Sequence, residues 1–86
     1  MPEISRFFGI VIRMFYNDHP VPHFHAEYAE HKARYEIATL TVLTGALPRR
    51  AHALVLEWAA LHRAELQADW DLARERRPLT AVAPLE

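Results

Sequence analysis

Two histidines lie two residues apart in the run Pro22-His23-Phe24-His25-Ala26-Glu27. On an extended strand that spacing sends both imidazoles to the same side, close enough to share a cation or a phosphate. His23 and His25 are therefore the candidate catalytic pair. As neutral imidazoles they could also hold a divalent metal such as zinc, the candidate cofactor. Glu27, Asp18 or His19 would be the third ligand and water the fourth, as in an open catalytic site. Without a metal, imidazoles can act as general base and acid. Arg13 or Arg34 would neutralise a phosphate and Phe15 would stack a base, which are the parts of a metal-free ribonuclease or an RNA-gripping sheet. The bland alternative is a wet sheet face whose Arg/Glu pairs contribute roughly 0.2–1 kcal/mol each and whose histidines are hydrogen-bonded surface residues. Glu27 and Glu36 on that face would work against a polyanion.

The elements that must position these residues follow from periodicity. From Phe7 to Tyr16 a run of β-favouring residues ends at the turn formers Asn17, Asp18, Pro20 and Pro22, which predicts a strand and then a turn. His23 to Ala29 alternates, with Phe24, Ala26 and Tyr28 on one face and His23, His25 and Glu27 on the other. Ala33 to Thr39 alternates again, and Leu40 to Leu43 continues it or forms a further strand before Gly45. The expected core faces are Phe8/Ile10/Ile12/Met14, Phe24/Ala26/Tyr28 and Tyr35/Ile37. Phe7, Val11 and Phe15 then fall on the open face and hint at a covering element. From Pro48 the period changes: Ala51, Leu54, Val55, Trp58, Leu61 and Leu66 form one helical stripe, with Pro48 suited to the first turn. An unbroken helix to Arg76 would be roughly 40 Å long, so a bend or break is expected near His62 to Ala68. The fold class is thus α+β: a three- or four-stranded antiparallel meander, then a long, broken amphipathic helix packed on one face. Residues 1–77 form a single domain and 78–86 an extended tail, laid along a sheet edge or against a partner.

Composition narrows the function classes. The chain has 86 residues, 51% of them hydrophobic, ten Lys+Arg against eleven Asp+Glu, and no cysteine. A chain of this size builds one core and no deep enclosed pocket. Without cysteine there is no disulfide, thiolate zinc site or Cys nucleophile. A net charge of −1 lacks the basic excess of most autonomous nucleic-acid binders, so RNA or DNA contact would be local or through a partner. No run approaches the ~20 apolar residues of a membrane span, and no targeting signal precedes the domain, so a cytoplasmic protein is expected.

Weaker candidates lie elsewhere. His52 and His62 sit on the helix, away from the histidine run. Arg49 and Arg50 oppose the macrodipole at the helix start, where a phosphate or an acidic partner could meet them, although solvated arginines explain them as well. The arginines from Arg74 to Arg77 suit a helix end and need no ligand, and Trp58 and Trp70 belong to a core or interface. No Gly-rich phosphate loop or dinucleotide fingerprint exists. A His-hydrophobic-His triplet also marks nucleases that cut single strands with a helix-borne tyrosine. Here Tyr16, Tyr28 and Tyr35 all fall in predicted strands, which argues against that assignment.

The opening Met1-Pro2-Glu3-Ile4-Ser5-Arg6-Phe7-Phe8-Gly9-Ile10, the run Asn17-Asp18-His19, the block Pro22-His23-Phe24-His25-Ala26 and the segment Leu54-Val55-Leu56-Glu57-Trp58 with His62 resemble the short bacterial proteins grouped as domain of unknown function 4160. The resemblance covers nearly the whole chain. It implies a gene neighbourhood shared with a second small protein, similar to toxin–antitoxin modules, and it carries no established catalytic residue. The strand and helix order is less closely similar to small RNA-cleaving toxins with a double-stranded-RNA-binding-like fold, whose first helix is missing here. Three function classes follow: a component of such a two-gene module acting through a partner, a His-based hydrolase or ribonuclease, and a purely structural interaction module, including a homodimer.

Overall fold

A computed structural model describes residues 3–16 and 21–86. Five strands form one antiparallel sheet in sequence order: β1 (Glu3–Phe7), β2 (Ile10–Arg13), β3 (His23–Tyr28), β4 (His31–Glu36) and β5 (Val42–Gly45). Two helices follow, α1 (Arg49–Leu61) and α2 (Arg63–Arg74). The α+β order and the meander are as expected, with five strands in place of three or four.

The extra strand comes from the Phe7–Tyr16 run, which is a hairpin rather than one strand. Phe7 pairs with Ile10 across a two-residue turn, and both turn residues are left-handed, Phe8 at φ 49° and Gly9 at φ 81°. A two-residue turn with both φ positive matches the twist of paired strands. This turn shifts the alternation by one residue. Phe7 therefore enters the core at 5% exposure and packs on Trp58, while Phe8 is left 60% exposed. The expected positions of these two phenylalanines are thus exchanged.

The remaining core faces hold. Ile10, Ile12, Met14, Phe24, Ala26, Tyr35 and Ile37 are buried, and the cross-strand partners Phe24 and Tyr35 stack with centroids 5.4 Å apart. Trp58 of α1 meets Phe24 edge-on at 5.9 Å, so α1 covers this face of the sheet. Tyr28 is only half buried.

The helix breaks at His62 (φ −123°, ψ 24°), at the start of the expected range. Its N–H bonds to the Ala59 carbonyl and its own carbonyl accepts from Leu66, so one residue closes α1 and opens α2. Within α1 the buried stripe is Ala51, Val55, Trp58 and Ala59, and Leu61, the last residue of the helix, lies off it. Leu66 is buried as expected, but Leu61 is 69% exposed.

Among the described residues, three hydrogen bonds join residues 80–83 to the rest of the fold, and Leu79 and Leu85 pack against the core. Thr80 N–H bonds to Asp69 Oδ1 at 2.8 Å, Val82 N–H to the Ile4 carbonyl of β1 at 2.8 Å, and the Trp58 indole N–H to the Ala83 carbonyl at 2.8 Å. Val82 is buried in the core. Among the described residues no helix is long and apolar enough to cross a membrane.

Candidate binding face of the sheet

The sheet face turned away from α1 carries most of the predicted site residues. Strand register places them in rows. Arg13, His25, Arg34 and Thr44 are opposed in turn on β2, β3, β4 and β5. Beside them run Val11, Glu27 and Lys32, and beyond them the pair His23 and Glu36. Directly opposed residues in antiparallel strands have Cβ atoms roughly 4.5–5.5 Å apart, so the first row forms one side-chain ladder.

Neighbours hold the ladder in place. Arg13 Nε forms an ion pair with Glu27 Oε2 at 3.3 Å, and Arg34 Nε donates to Thr44 Oγ1 at 2.8 Å. Phe15 meets the His25 ring edge-on, with centroids 4.4 Å apart and planes at 88°. Arg13, Phe15, His25, Glu27 and Arg34 are half buried, an environment in which an ion pair is less screened than on an open surface, while Thr44 is exposed. Three cations, Arg13, Lys32 and Arg34, stand on the face against two carboxylates, Glu27 and Glu36. A polar depression of about 80 Å³ opens among His25, Glu27, Lys32, Arg34 and Thr44.

The two histidines are close, with ring centroids 5.1 Å apart, but their settings differ. His25 is half buried in the ladder. His23, expected on the open face, is only 3% exposed, because the Trp70 ring of α2 lies 5.2 Å from it. Its Nδ1 lies 2.8 Å from the Val21 carbonyl, which can only accept. Nδ1 therefore carries a proton, and Nε2 is the basic atom of the neutral ring. A ring nitrogen fixed by a carbonyl in this way is how proteins orient metal-bound and general-base imidazoles.

The structure thus brings together His23, His25, Arg13, Phe15, Glu27 and Arg34. The other metal-ligand candidates, Asp18 and His19, lie outside the described residues. Among the described residues no group of three or more His, Asp or Glu side chains is placed to hold a metal ion, and Glu27 is engaged by Arg13.

Two further groups were outside the sequence reading. Lys32 and Thr44 join the face because β4 begins at His31 and β5 pairs with β4, whereas the predicted strand began at Ala33. His52 meets the fully buried Tyr35, whose hydroxyl lies 2.8 Å from His52 Nδ1, and burial pushes the phenol up to about 12. His62 instead pairs with Glu65 at 2.6 Å.

The family described as "Domain of unknown function (DUF4160)" matches residues 9–71, and the chain belongs to it. The match spans the β1–β2 turn through Trp70 and so contains the whole ladder. No curated protein and no solved structure matches the chain.

Proposed function

We propose that the protein acts through a partner, as one component of a toxin–antitoxin-like pair, and that the partner engages the open face of the sheet. The observation that carries this reading is the Arg13–His25–Arg34 ladder with Phe15 set against it. Guanidinium groups fixed by Glu27 and Thr44 lose little rotamer freedom on binding, and an aromatic ring beside them adds apolar contact. Such a face suits a carboxylate-bearing protein surface, and it suits an RNA or DNA strand only where Glu27 and Glu36 are kept away from phosphates. The neighbour-encoded small protein is the expected partner.

The test is copurification of the chain with that neighbour from a common transcript, for the native protein and for Arg13→Glu/Arg34→Glu. Recovery of the pair with the native chain and its loss with the double variant support the reading. Recovery unchanged by the double variant removes the open face from it. Self-association in place of the heteromeric pair favours a structural homodimer.

A second reading, a His-based hydrolase or ribonuclease, is favoured by the orientation of His23. Its Nδ1 is held by the Val21 carbonyl and its ring lies 5.1 Å from that of His25, close enough for two imidazoles to act on one group. Growth arrest on induction with degraded cellular RNA, both lost in His25→Ala, supports it. Normal growth with intact RNA removes it.

A further inference from the structure

A cavity opens on the other side of the sheet. It measures about 170 Å³ and lies between the β1–β2 turn and the start of α1, lined by Phe8, Ile10, Tyr28, Pro48, Arg50, Ala51 and Leu54. Its walls are apolar apart from Arg50 and the Tyr28 hydroxyl. The volume matches one large side chain, about that of a benzene-binding cavity in a protein core.

The residue at its rim is the unusual one. Phe8 is left-handed at φ 49°, a conformation that Asn, Asp and Gly adopt readily and that strains an aromatic residue. Its ring is also 60% exposed, so burial in the fold does not offset that strain. Gly9 beside it is fixed as glycine by its own positive φ and by the Tyr28 ring, which a Cβ would approach to 3.3 Å. Strained, exposed aromatic residues at a cavity mouth mark binding sites rather than folding devices.

Arg50 puts a positive charge in the cavity wall, and Arg49 precedes it at the start of α1. Arg49 and Arg50 form no ion pair among the described residues. The N-terminus of α1 has no side-chain cap and no acidic residue in its first turn, so its dipole adds to the same sign.

We propose that this cavity is an anchor site for a protein segment that inserts one large apolar side chain and flanks it with acidic residues. The anchor fills the space between Tyr28, Ala51 and Leu54. The backbone of the segment crosses the outer face of Phe8, and its carboxylates meet Arg49, Arg50 and the first N–H groups of α1. A small ligand confined to 170 Å³ would leave most of the Phe8 ring uncovered, which is why a peptide is the better match. The site is separate from the Arg13–His25–Arg34 face, so it stands or falls independently of that surface.

Titration of the ¹⁵N-labelled protein with acetyl-Glu-Phe-Glu-amide tests it, with acetyl-Gln-Phe-Gln-amide, acetyl-Glu-Ala-Glu-amide and phenylacetate as comparison probes. The expected result is saturable shifts at Phe8, Gly9, Tyr28, Ala51 and Leu54, with each comparison probe binding at least tenfold more weakly. Phe8→Asn separates binding from folding. Asparagine suits the left-handed turn, so the variant should melt no lower than the native protein and still lose at least tenfold in affinity. Arg50→Glu should lose as much for the Glu-Phe-Glu probe and nothing for Gln-Phe-Gln. Absence of shifts at millimolar peptide overturns the proposal, as does binding centred on His25. Equal binding of the neutral peptide, tighter binding of phenylacetate, or a Phe8→Asn variant that binds normally each overturn it as well.

Discussion

His23 and His25 project from one face of β3 with rings 5.1 Å apart, yet one is packed beneath Trp70 and bonded to Val21 while the other stands between two arginines. The pair is therefore split, with His23 packed into the fold and His25 half exposed on the sheet face. His23→Ala removes a buried ring and leaves the Val21 carbonyl without its donor, and should lower stability by about 2–4 kcal/mol. His25→Ala removes a half-exposed ring and should stay within about 1 kcal/mol of the native protein. Urea denaturation of the two single variants checks this, and equal losses would show that His23 is not the packed member.

Asp69 gives the fold a pH dependence of definite sign. It is 1% exposed, its Oδ1 accepts from Thr80 and its Oδ2 has no hydrogen-bond partner among the described residues. Burial pushes its carboxyl above the ordinary 3.8, the Thr80 N–H opposes the shift, and Glu65 adds to it. The folded state thus holds this proton more tightly than the unfolded state does. Stability from this group is complete below about pH 3.8 and is lost as pH rises through the folded value. In Asp69→Asn that loss is absent. Melting temperatures of both proteins from pH 4 to 7 should show the native chain falling relative to the variant as pH rises, and a difference independent of pH would contradict it.

Tyr35 sets the alkaline limit. Its phenol, pushed up to about 12 from 10.0, keeps its proton in the folded state at pH values where an unfolded tyrosine ionises. Its contribution is intact below pH 10 and is lost between 10 and 12. Tyr35→Phe should cost about 1 kcal/mol at pH 7 through the missing bond to His52, and should unfold at higher pH than the native chain. Absorbance titration of the tyrosines, with circular dichroism of both proteins, reads the two effects together.

Gly45 is held by geometry alone. Its φ is +77°, and a Cβ there would stand 2.1 Å from the Lys32 carbonyl oxygen. Gly45→Ala should cost roughly 3 kcal/mol and release β5 from β4. Hydrogen exchange at Ala46, whose N–H bonds to that same carbonyl, should accelerate toward the rate of an open amide. Retained protection there would show that the strand pair can absorb the methyl group.

Some of this was legible because periodicity reports on faces. The alternation of His23 to Tyr28 placed His25, Glu27, Phe24 and Ala26 correctly, and Arg13, Phe15 and Arg34 followed from the neighbouring strands. Phe8 was misplaced because a left-handed phenylalanine is not a turn signal. The apolar run around it reads as unbroken strand, and one hidden turn residue reverses every face before it. Leu61 failed because three- and four-residue spacing admits the edge of a stripe as well as its centre: the buried line of α1 runs through Ala51, Val55, Trp58 and Ala59 and leaves Leu61 to one side. The burial of His23 depends on Trp70, 47 positions further along, and no local pattern encodes a contact at that range. The Tyr35–His52 bond was hidden for the same reason.

The bond between Val82 and Ile4 ties the first strand to residues synthesised after every other strand and both helices. β1 is at the edge of the sheet and leaves the ribosome before every other element described. Until residues 80–83 have also emerged, Trp58 lacks the acceptor for its indole and the edge near Ile4 stays uncovered. Up to that point the nascent chain carries a bare strand edge, the feature most prone to pair with another chain. Closing contacts between distant parts of a sequence is the slow part of folding, so this interval outlasts formation of α1. A chaperone or a cotranslated neighbour that reaches the edge first would meet the protein in a state the finished fold no longer offers.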